Sequence, residues 1–393
     1  MAEASMNHIT TIMACGATLY AAILISKFTL AIYYRWSFSR RPKTATKLDR
    51  LTIMQPILSG DPALKEMLQR NVNEHPEASF LWLLDEQDSE GQRVVQEVVD
   101  AHDSPNIKVV LCPPCPEGIN PKLFKFYQAR KQIERDFVIV LDDDTFLPME
   151  TCRALIDGLQ HYGLVTGLPC YMPGSSLPSR LLAQFVNSNA AMTYLPLAPI
   201  MEPITINGMC YALKRDTLIR LDYFGPLLGH LTDDLAVARS LLIMGEKILQ
   251  IPRHQLIQTN LSSISAYMRQ MHRWFFFALL LLRSERPTMK ALILLLQGIH
   301  PFLLLCLIVS TALMPTMIHL SILGIVIALR SAVILVLQII TTGSSRHSPL
   351  LSLLSEILQP IHLMHAAISN RIRWRTRHYR VLNNDRFYDV EPL

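Results

Sequence analysis

The distribution of apolar and polar positions divides this chain into three stretches. Residues 9–34 form one apolar run broken only by Lys27. That is long enough to cross a bilayer as a helix, and the lysine, late in the run, can snorkel toward an interface. From Leu51 to about Pro173, short apolar runs alternate with segments of helical period. LTIMQPI (51–57), FLWLL (80–84), IKVVLC (107–112), FVIVL (137–141) and GLVTGLP (163–169) read as strands. Helices are predicted over 62–70, with proline in the first turn, and near 90–101, 121–135 and 150–160. Such alternation predicts an α/β fold around a mostly parallel sheet. The apolar pattern then returns, with WFFFALLLL (274–282) as an interfacial segment followed by two spans over 291–313 and 317–340. Arg330, inside the second of these, must face protein, water or headgroups. The run PLLSLLSEILQPIHLMHAAI (349–368) is amphipathic, and Glu356, Pro360 and two histidines suit an interface-lying or re-entrant segment.

The expected organisation is therefore a transmembrane helix over 1–34, a basic linker over 35–50 and a catalytic domain over 51–273. An interfacial segment over 274–289, two transmembrane helices within 290–341, an amphipathic or re-entrant segment over 342–370 and a basic tail over 371–393 follow.

Composition supports the membrane reading, since half of the residues are hydrophobic and only 18% are charged. The net charge is +5, but the clusters at 35–50 and 371–380 together carry +10 and leave the rest of the chain at −5. Basic clusters beside spans suit anionic lipid headgroups, and the acidic remainder gives no support to a nucleic-acid partner. Arg35, Arg40, Arg41, Lys43, Lys47 and Arg50 follow the first run, and no basic residue precedes it. It therefore reads as a span, not a cleaved leader, with the amino terminus outside and the following domain cytosolic. Three spans return the tail, with Arg371, Arg373, Arg375, Arg377 and Arg380, to the cytosol, as expected of a multi-pass integral membrane protein. Of the seven cysteines only those of CPPC (112–115) lie close together, and no second pair completes a zinc site.

Acids that directly follow strands are candidate site residues, because ligands of open α/β sheets bind beyond the carboxyl ends of the strands. FLWLL runs into Asp85, and FVIVL runs into Asp142, Asp143 and Asp144. Three consecutive carboxylates are held together most easily by a divalent cation, and hard oxygen ligands suit Mn or Mg; a solvated acidic turn is the plain alternative. Asp233 and Asp234 in HLTDDLAVAR open a predicted helix with Thr232 as a possible cap. They are either first-turn acids or the seat of a general base. Gln270, Arg273 and Trp274 in RQMHRW stand where a membrane anchor would, and also where an arginine could reach a diphosphate and a tryptophan a lipid.

In this order the motifs resemble the ceramide glucosyltransferase family. These are inverting membrane enzymes that share a cytosolic nucleotide-sugar domain with cellulose and hyaluronan synthases. The resemblance runs through QPILSGDPALKEML (55–68), LLDEQD (83–88), EGINPKL (117–123), LDDD (141–144), GLVTGLP, NGMCYALKRD (207–216) and TDDLAVA. RQMHRW fits the family's QxxRW pattern, and WRTRHYRV (374–381) looks like its characteristic ending. The resemblance implies a GT-A, Rossmann-like nucleotide-sugar domain with flanking transmembrane helices, a UDP-sugar donor and a membrane lipid acceptor. By it, Asp85 contacts the uridine, Lys122 lies near the nucleotide, and Asp142 and Asp144 hold the metal on the diphosphate, which leaves Asp143 to face solvent. Asp234 is the base, and Gln270, Arg273 and Trp274 border donor and acceptor at the membrane face.

One departure concerns the acceptor. The best-known animal members carry a histidine in the segment matching QFVNSNAAMTY (184–194), where this chain has none, and an ungapped count places Ala191 there. Ceramide is the family's default acceptor, with diacylglycerol or a hopanoid as alternatives. A processive polysaccharide synthase is the rival enzyme, requiring more spans than this chain offers. A catalytically inactive membrane scaffold is the rival outside enzymes, against which the retained acids argue.

Overall fold

The structure is a computed structural model, and it describes residues 2–41, 47–102, 106–343, 347–374 and 377–391. Of the basic residues singled out above, Lys43 and Arg375 lie outside the described residues. The chain begins with the helix α1 (Ala2–Ser39). It continues through β1 (Leu51–Pro56), α2 (Leu64–Glu74), β2 (Ser79–Asp85), α3 (Ser89–His102), β3 (Ile107–Cys112), α4 (Pro121–Gln128), β4 (Phe137–Leu141) and β5 (Thr145–Phe146). Then come α5 (Met149–Gly158), β6 (Leu164–Tyr171), α6 (Leu177–Tyr194), β7 (Cys210–Lys214), α7 (Arg215–Arg220), α8 (Asp233–Ile243), β8 (Ile248–Ile257) and α9 (Ile264–Ser284). The last part holds α10 (Pro287–Ile293), α11 (Ile299–Leu313), α12 (Met317–Thr342), α13 (Pro349–Ile357), α14 (Gln359–Ile368), β9 (Arg371–Trp374), β10 (Arg377–Asn383) and β11 (Arg386–Asp389).

All five predicted strands form, and they join one eight-stranded sheet in the order β3-β2-β1-β4-β7-β6-β8-β5. The expected parallel pairing holds across β3, β2, β1 and β4. Beyond them β7 runs antiparallel to both β4 and β6, so the sheet is mixed. Both faces of its centre are buried, which is why these strands read as continuous apolar runs and not as alternating ones. Ile53, Phe80, Trp82, Leu84, Ile139 and Leu141 point to one face and pack with residues of α2, α3 and α5. The intervening Met54, Leu81, Leu83, Val138 and Val140 point to the other and pack with α4 and α8. The parallel strands β1, β2 and β4 all end at the same edge, where Ile57, Asp85 and Asp142 emerge.

Among the described residues three helices are long and apolar enough to cross a membrane: 8–39 within α1, then 287–313, then α12. The second consists of α10 and α11 joined through a π-helical turn at Leu294–Gly298. Lys27 does not reach outward to an interface. It is buried, and its Nζ donates to Leu296 O at 2.8 Å and to the Gln297 side-chain Oε1 at 3.1 Å, both residues of the π turn. Arg330 faces protein: its guanidinium pairs with Glu356 and donates to Ser352 O at 2.9 Å. Glu356 is shared with Tyr20 of α1 (3.1 Å) and His300 of α11 (3.2 Å). The acid that marked 349–368 as unsuited to lipid is thus the knot that ties α13 to the apolar helices.

The sheet domain packs directly on this bundle. Ser188 of α6 bonds Ser352 at 2.8 Å, Gln338 of α12 donates to Asn187 O at 3.2 Å, and Tyr34 donates to Gln250 O at 2.5 Å. α9 runs unbroken through Arg273 and Trp274, where the sequence divides catalytic domain from interfacial segment. The tail, expected only to be basic, folds into an antiparallel sheet in the order β11-β10-β9. Its buried Ile372, Tyr379, Val381 and Phe387 pack on Phe276 and Leu280 of α9.

Candidate active site

The site is assembled on α4, which starts where the sequence places it. Asn120 caps it by accepting from the Lys122 and Leu123 amides at 3.0 and 3.2 Å, and Pro121 occupies the first turn. This cap aims Lys122 across the ends of the strands. Its Nζ lies 2.8 Å from Asp142 Oδ1 and 3.2 Å from Asp233 Oδ2, and it donates to Gly208 O at 2.6 Å. The two carboxylates hold the ammonium well above its ordinary pKa against the cost of burial. Burial in turn keeps the Asp142 carboxyl above the ordinary carboxylate value even with Lys122 beside it. One turn further along α4, Lys125 Nζ pairs with Asp85 Oδ2 at 3.0 Å and donates to Ile57 O at 2.8 Å.

The acidic triplet divides its work differently from expectation. Asp143 does not face solvent. It is 4% exposed, and its Oδ2 accepts from the Leu58 amide at 2.9 Å, which pins the loop after β1. The reason is that β4 ends at Leu141 and the chain turns at residues 143–144, where the Thr145 amide donates back to Asp142 O at 3.1 Å, so Asp143 is directed at the loop after β1. Asp144 accepts from Thr145 Oγ1 and Thr259 Oγ1, both at 3.2 Å. The same β1 loop is held from a second direction by Asp88, which accepts from the Ser59 amide at 2.8 Å and the Gly91 amide at 2.9 Å. Against burial, these bonds hold the Asp88 carboxyl below its usual value.

Asp234 opens α8 beside Asp233, and its Oδ1 accepts from the Leu235 amide at 2.8 Å. Burial, and then the charge of Asp233, push its carboxyl up to about 7. The NGM turn lies against the pair so closely that a Cβ on Gly208 would come within 3.3 Å of Asp234 Cβ. Thr232 occupies the cap position as predicted but makes no capping bond; its hydroxyl donates instead to Asn384 Oδ1 at 2.7 Å. Tyr194, at the end of α6, has its phenol raised to about 12 by burial and then by Asp234. Ala191, one turn earlier, is buried among residues of α1 and α12.

Gln270, Arg273 and Trp274 line one side of α9. Arg273 Nη2 donates to Gln270 Oε1 at 3.1 Å, and its guanidinium lies 5.8 Å from the Trp374 ring centre. Trp274 meets Tyr171 edge-on at 5.9 Å and stacks on Phe185 at 6.2 Å. Burial and then Asp144 hold the Tyr171 phenol protonated, while Arg273 acts in the opposite sense.

The structure therefore joins Lys122, Asp142 and the Asp233–Asp234 pair by direct contact, brings in Asp85 through Lys125, and sets Gln270, Arg273 and Trp274 beside them on a separate helix. Sequence reasoning missed Lys125, Asp88, Asn120 and Tyr171. The three-residue spacing of Lys122 and Lys125 on one helix face was the available signal for the first.

Among the described residues no three His, Cys, Asp or Glu side chains converge on a point that could hold a metal ion. Asp142 and Asp144 are hard oxygen donors, the ligand type that Mn and Mg ions take. Such ions take one or two carboxylates and complete their shell with substrate phosphates and water.

The fold is that of the GT-A glycosyltransferases with three helices able to span a membrane. The chain is similar to a mannosyltransferase from Pyrobaculum calidifontis solved with GDP-mannose and Mn2+. Identity is 15% over 90% of this chain and 98% of that one, with a TM-score of 0.48. It is also similar to glucosyl-3-phosphoglycerate synthase from Mycobacterium tuberculosis, solved with Mn2+, UDP and phosphoglyceric acid. Identity there is 12%, over 60% of this chain and 83% of that one, with a TM-score of 0.34. No curated protein matches the sequence. The model of glycosyl transferase family 21 matches residues 10–387, and the chain belongs to that family, the ceramide glucosyltransferase family to which its motifs pointed.

Proposed function

We propose that this glycosyltransferase moves a hexose, glucose from UDP-glucose, onto the hydroxyl of a membrane lipid, ceramide by family default, with inversion at the anomeric carbon. The observation that carries the reading is the reach of Lys122, which ties the strand-end acid Asp142 to the pair containing Asp234. A donor-binding acid and a base with a raised pKa are thereby joined in one contact network.

In this reading Asp234 takes the proton of the acceptor hydroxyl as its oxygen attacks the anomeric carbon. The bond from that carbon to the diphosphate oxygen breaks on the opposite side, and UDP leaves with the electron pair. One displacement inverts the centre and needs no enzymic nucleophile, unlike the two-carboxylate retaining hydrolases. A pKa near 7 suits a base that must be ionised yet still able to hold a proton at neutral pH. Arg273 offsets charge on the departing diphosphate, and Gln270 orients the guanidinium. Asp85, fixed by Lys125, receives the uridine. Trp274, stacked on Phe185, borders the lipid acceptor. A divalent ion, Mn or Mg, held by Asp142 and Asp144 would supply further charge neutralisation on the diphosphate. The domain works on the cytosolic side with the amino terminus outside, as the basic residues after α1 require under the positive-inside rule.

Mass spectrometry of lipids from cells with and without the chain tests the assignment. One hexosylated lipid that depends on the chain, with ceramide as its base, is expected. Sugar accumulating in a long polymer, with no organic-soluble glycolipid, overturns it.

A further inference from the structure

The turn that leads into Asp233 and Asp234, residues 228–232, has its backbone groups satisfied from outside by two asparagines. From one side Asn120 donates: its amide to Leu228 O at 2.8 Å, and its Nδ2 to His230 O and Leu231 O, both at 3.0 Å. From the other side comes Asn384, at the tip of the hairpin between β10 and β11. Its carbonyl accepts from the Leu231 amide at 2.8 Å, and its Oδ1 accepts from both the Thr232 amide and the Thr232 hydroxyl at 2.7 Å. Leu231 and Thr232 are buried, so a polar group left unbonded there has no water to turn to.

The hairpin does not rest on this turn alone. Asp389 Oδ2 accepts from the Gly118 amide at 3.2 Å, and Arg377 donates to Cys115 O at 2.8 Å. Both contacts fall on the loop that runs into Asn120 and α4. Trp374, where β9 ends, lies beneath the Arg273 guanidinium. The terminal sheet thus grips the approaches to Lys122, Asp234 and Arg273, three candidate site residues on different elements.

We propose that Asn384 is a positioning residue for Asp234, and that the terminal sheet is part of the catalytic architecture and not a tail. The diverted hydroxyl of Thr232 is the sharpest sign. At a helix start a threonine would ordinarily cap, and here it gives up that bond to hold the hairpin tip. The direction in which α8 enters the site, and so the place of the Asp234 carboxylate, is set by Asn384. This rests on Asp234 being the base.

The experiment uses the full chain in phosphatidylcholine nanodiscs carrying ceramide, with UDP-glucose as donor, and compares Asn384→Ala, Asn384→Asp and Asp234→Asn. Asn384→Ala is expected to lower kcat at least about 10-fold while changing the donor KM less than about 3-fold, because the contacts to the nucleotide stay in place. Hydrogen exchange over 228–240 should quicken in the same variant. Asn384→Asp keeps an oxygen that can accept both Thr232 bonds, so it should restore the exchange protection and most of kcat. Unchanged exchange in Asn384→Ala overturns the clamp, and quickened exchange with wild-type kcat overturns its positioning role. If Asp234→Asn keeps wild-type turnover, or no transfer occurs with these substrates, the base or substrate reading falls, and the exchange data still decide whether Asn384 holds the turn.

Discussion

Asp234 carries the most specific expectation at the scale of single residues. Its carboxyl is raised to about 7 by burial and then by Asp233, so the acidic limb of kcat/KM should rise through about pH 7 and not near pH 4. Asp234→Asn should abolish transfer while leaving UDP binding nearly intact. Burial of a raised acid also has a cost that fixes a second sign. The folded state holds a proton that the unfolded chain releases near pH 4, so the contribution of Asp234 to stability is full below that pH and is lost as pH rises through about 7. Asn in its place should therefore raise the melting temperature at pH 8 and do so much less at pH 5. Lys122 behaves in the opposite way. Removing it by Lys122→Met leaves Asp142 and Asp233 facing each other without their shared ammonium, a loss of about 3–5 kcal/mol for a broken buried pair. That loss should shrink as pH falls and the Asp142 carboxyl, held above its ordinary value by burial, takes up a proton. Thermal melting of both variants at the two pH values checks these signs.

Among the elements, the buried knot of Arg330 and Glu356 should behave as a unit. Arg330→Met alone strands the Glu356 carboxylate in the bundle, at a cost of about 3–5 kcal/mol, whereas Arg330→Met combined with Glu356→Met should recover most of the loss. Melting curves for the two single variants and the double variant decide whether the charges are coupled. The elements also show what was legible in the sequence. The strands FLWLL and FVIVL announced themselves because a strand buried on both faces must be apolar at every position. The antiparallel return of β7 was invisible, since strand direction depends on partners far along the chain. The terminal sheet is hidden in the sequence for a different reason. Its period-two alternation, Arg371-Ile372-Arg373-Trp374, is present in the sequence, but the run of arginines gives a stronger charge signal than the single Ile372 buried between them gives for a strand. The place of Asp143 is not legible in the sequence because its partner, the Leu58 amide, comes from the loop after β1, far back along the chain. The acids at the strand ends, by contrast, were readable, because their place follows from chain direction alone.

At the scale of the whole molecule, the sheet domain and the apolar bundle share bonded contacts through α6, α12 and α13, so the sheet domain is held against helices able to span a bilayer. An acceptor drawn from the membrane can meet a donor drawn from water in such an arrangement. On the proposed reading, in which Asp142 and Asp144 share a divalent ion with the diphosphate, activity should vanish in excess chelator and return with Mn or Mg. The most direct test of the central claim is the product itself. Purified full chain, incubated with radiolabelled UDP-glucose, Mn2+ and ceramide vesicles, is expected to give an organic-soluble glycolipid whose anomeric proton shows the β configuration by NMR, and Asp234→Asn should give none. An α-linked product, or label that never enters the lipid phase under these conditions, would contradict the account.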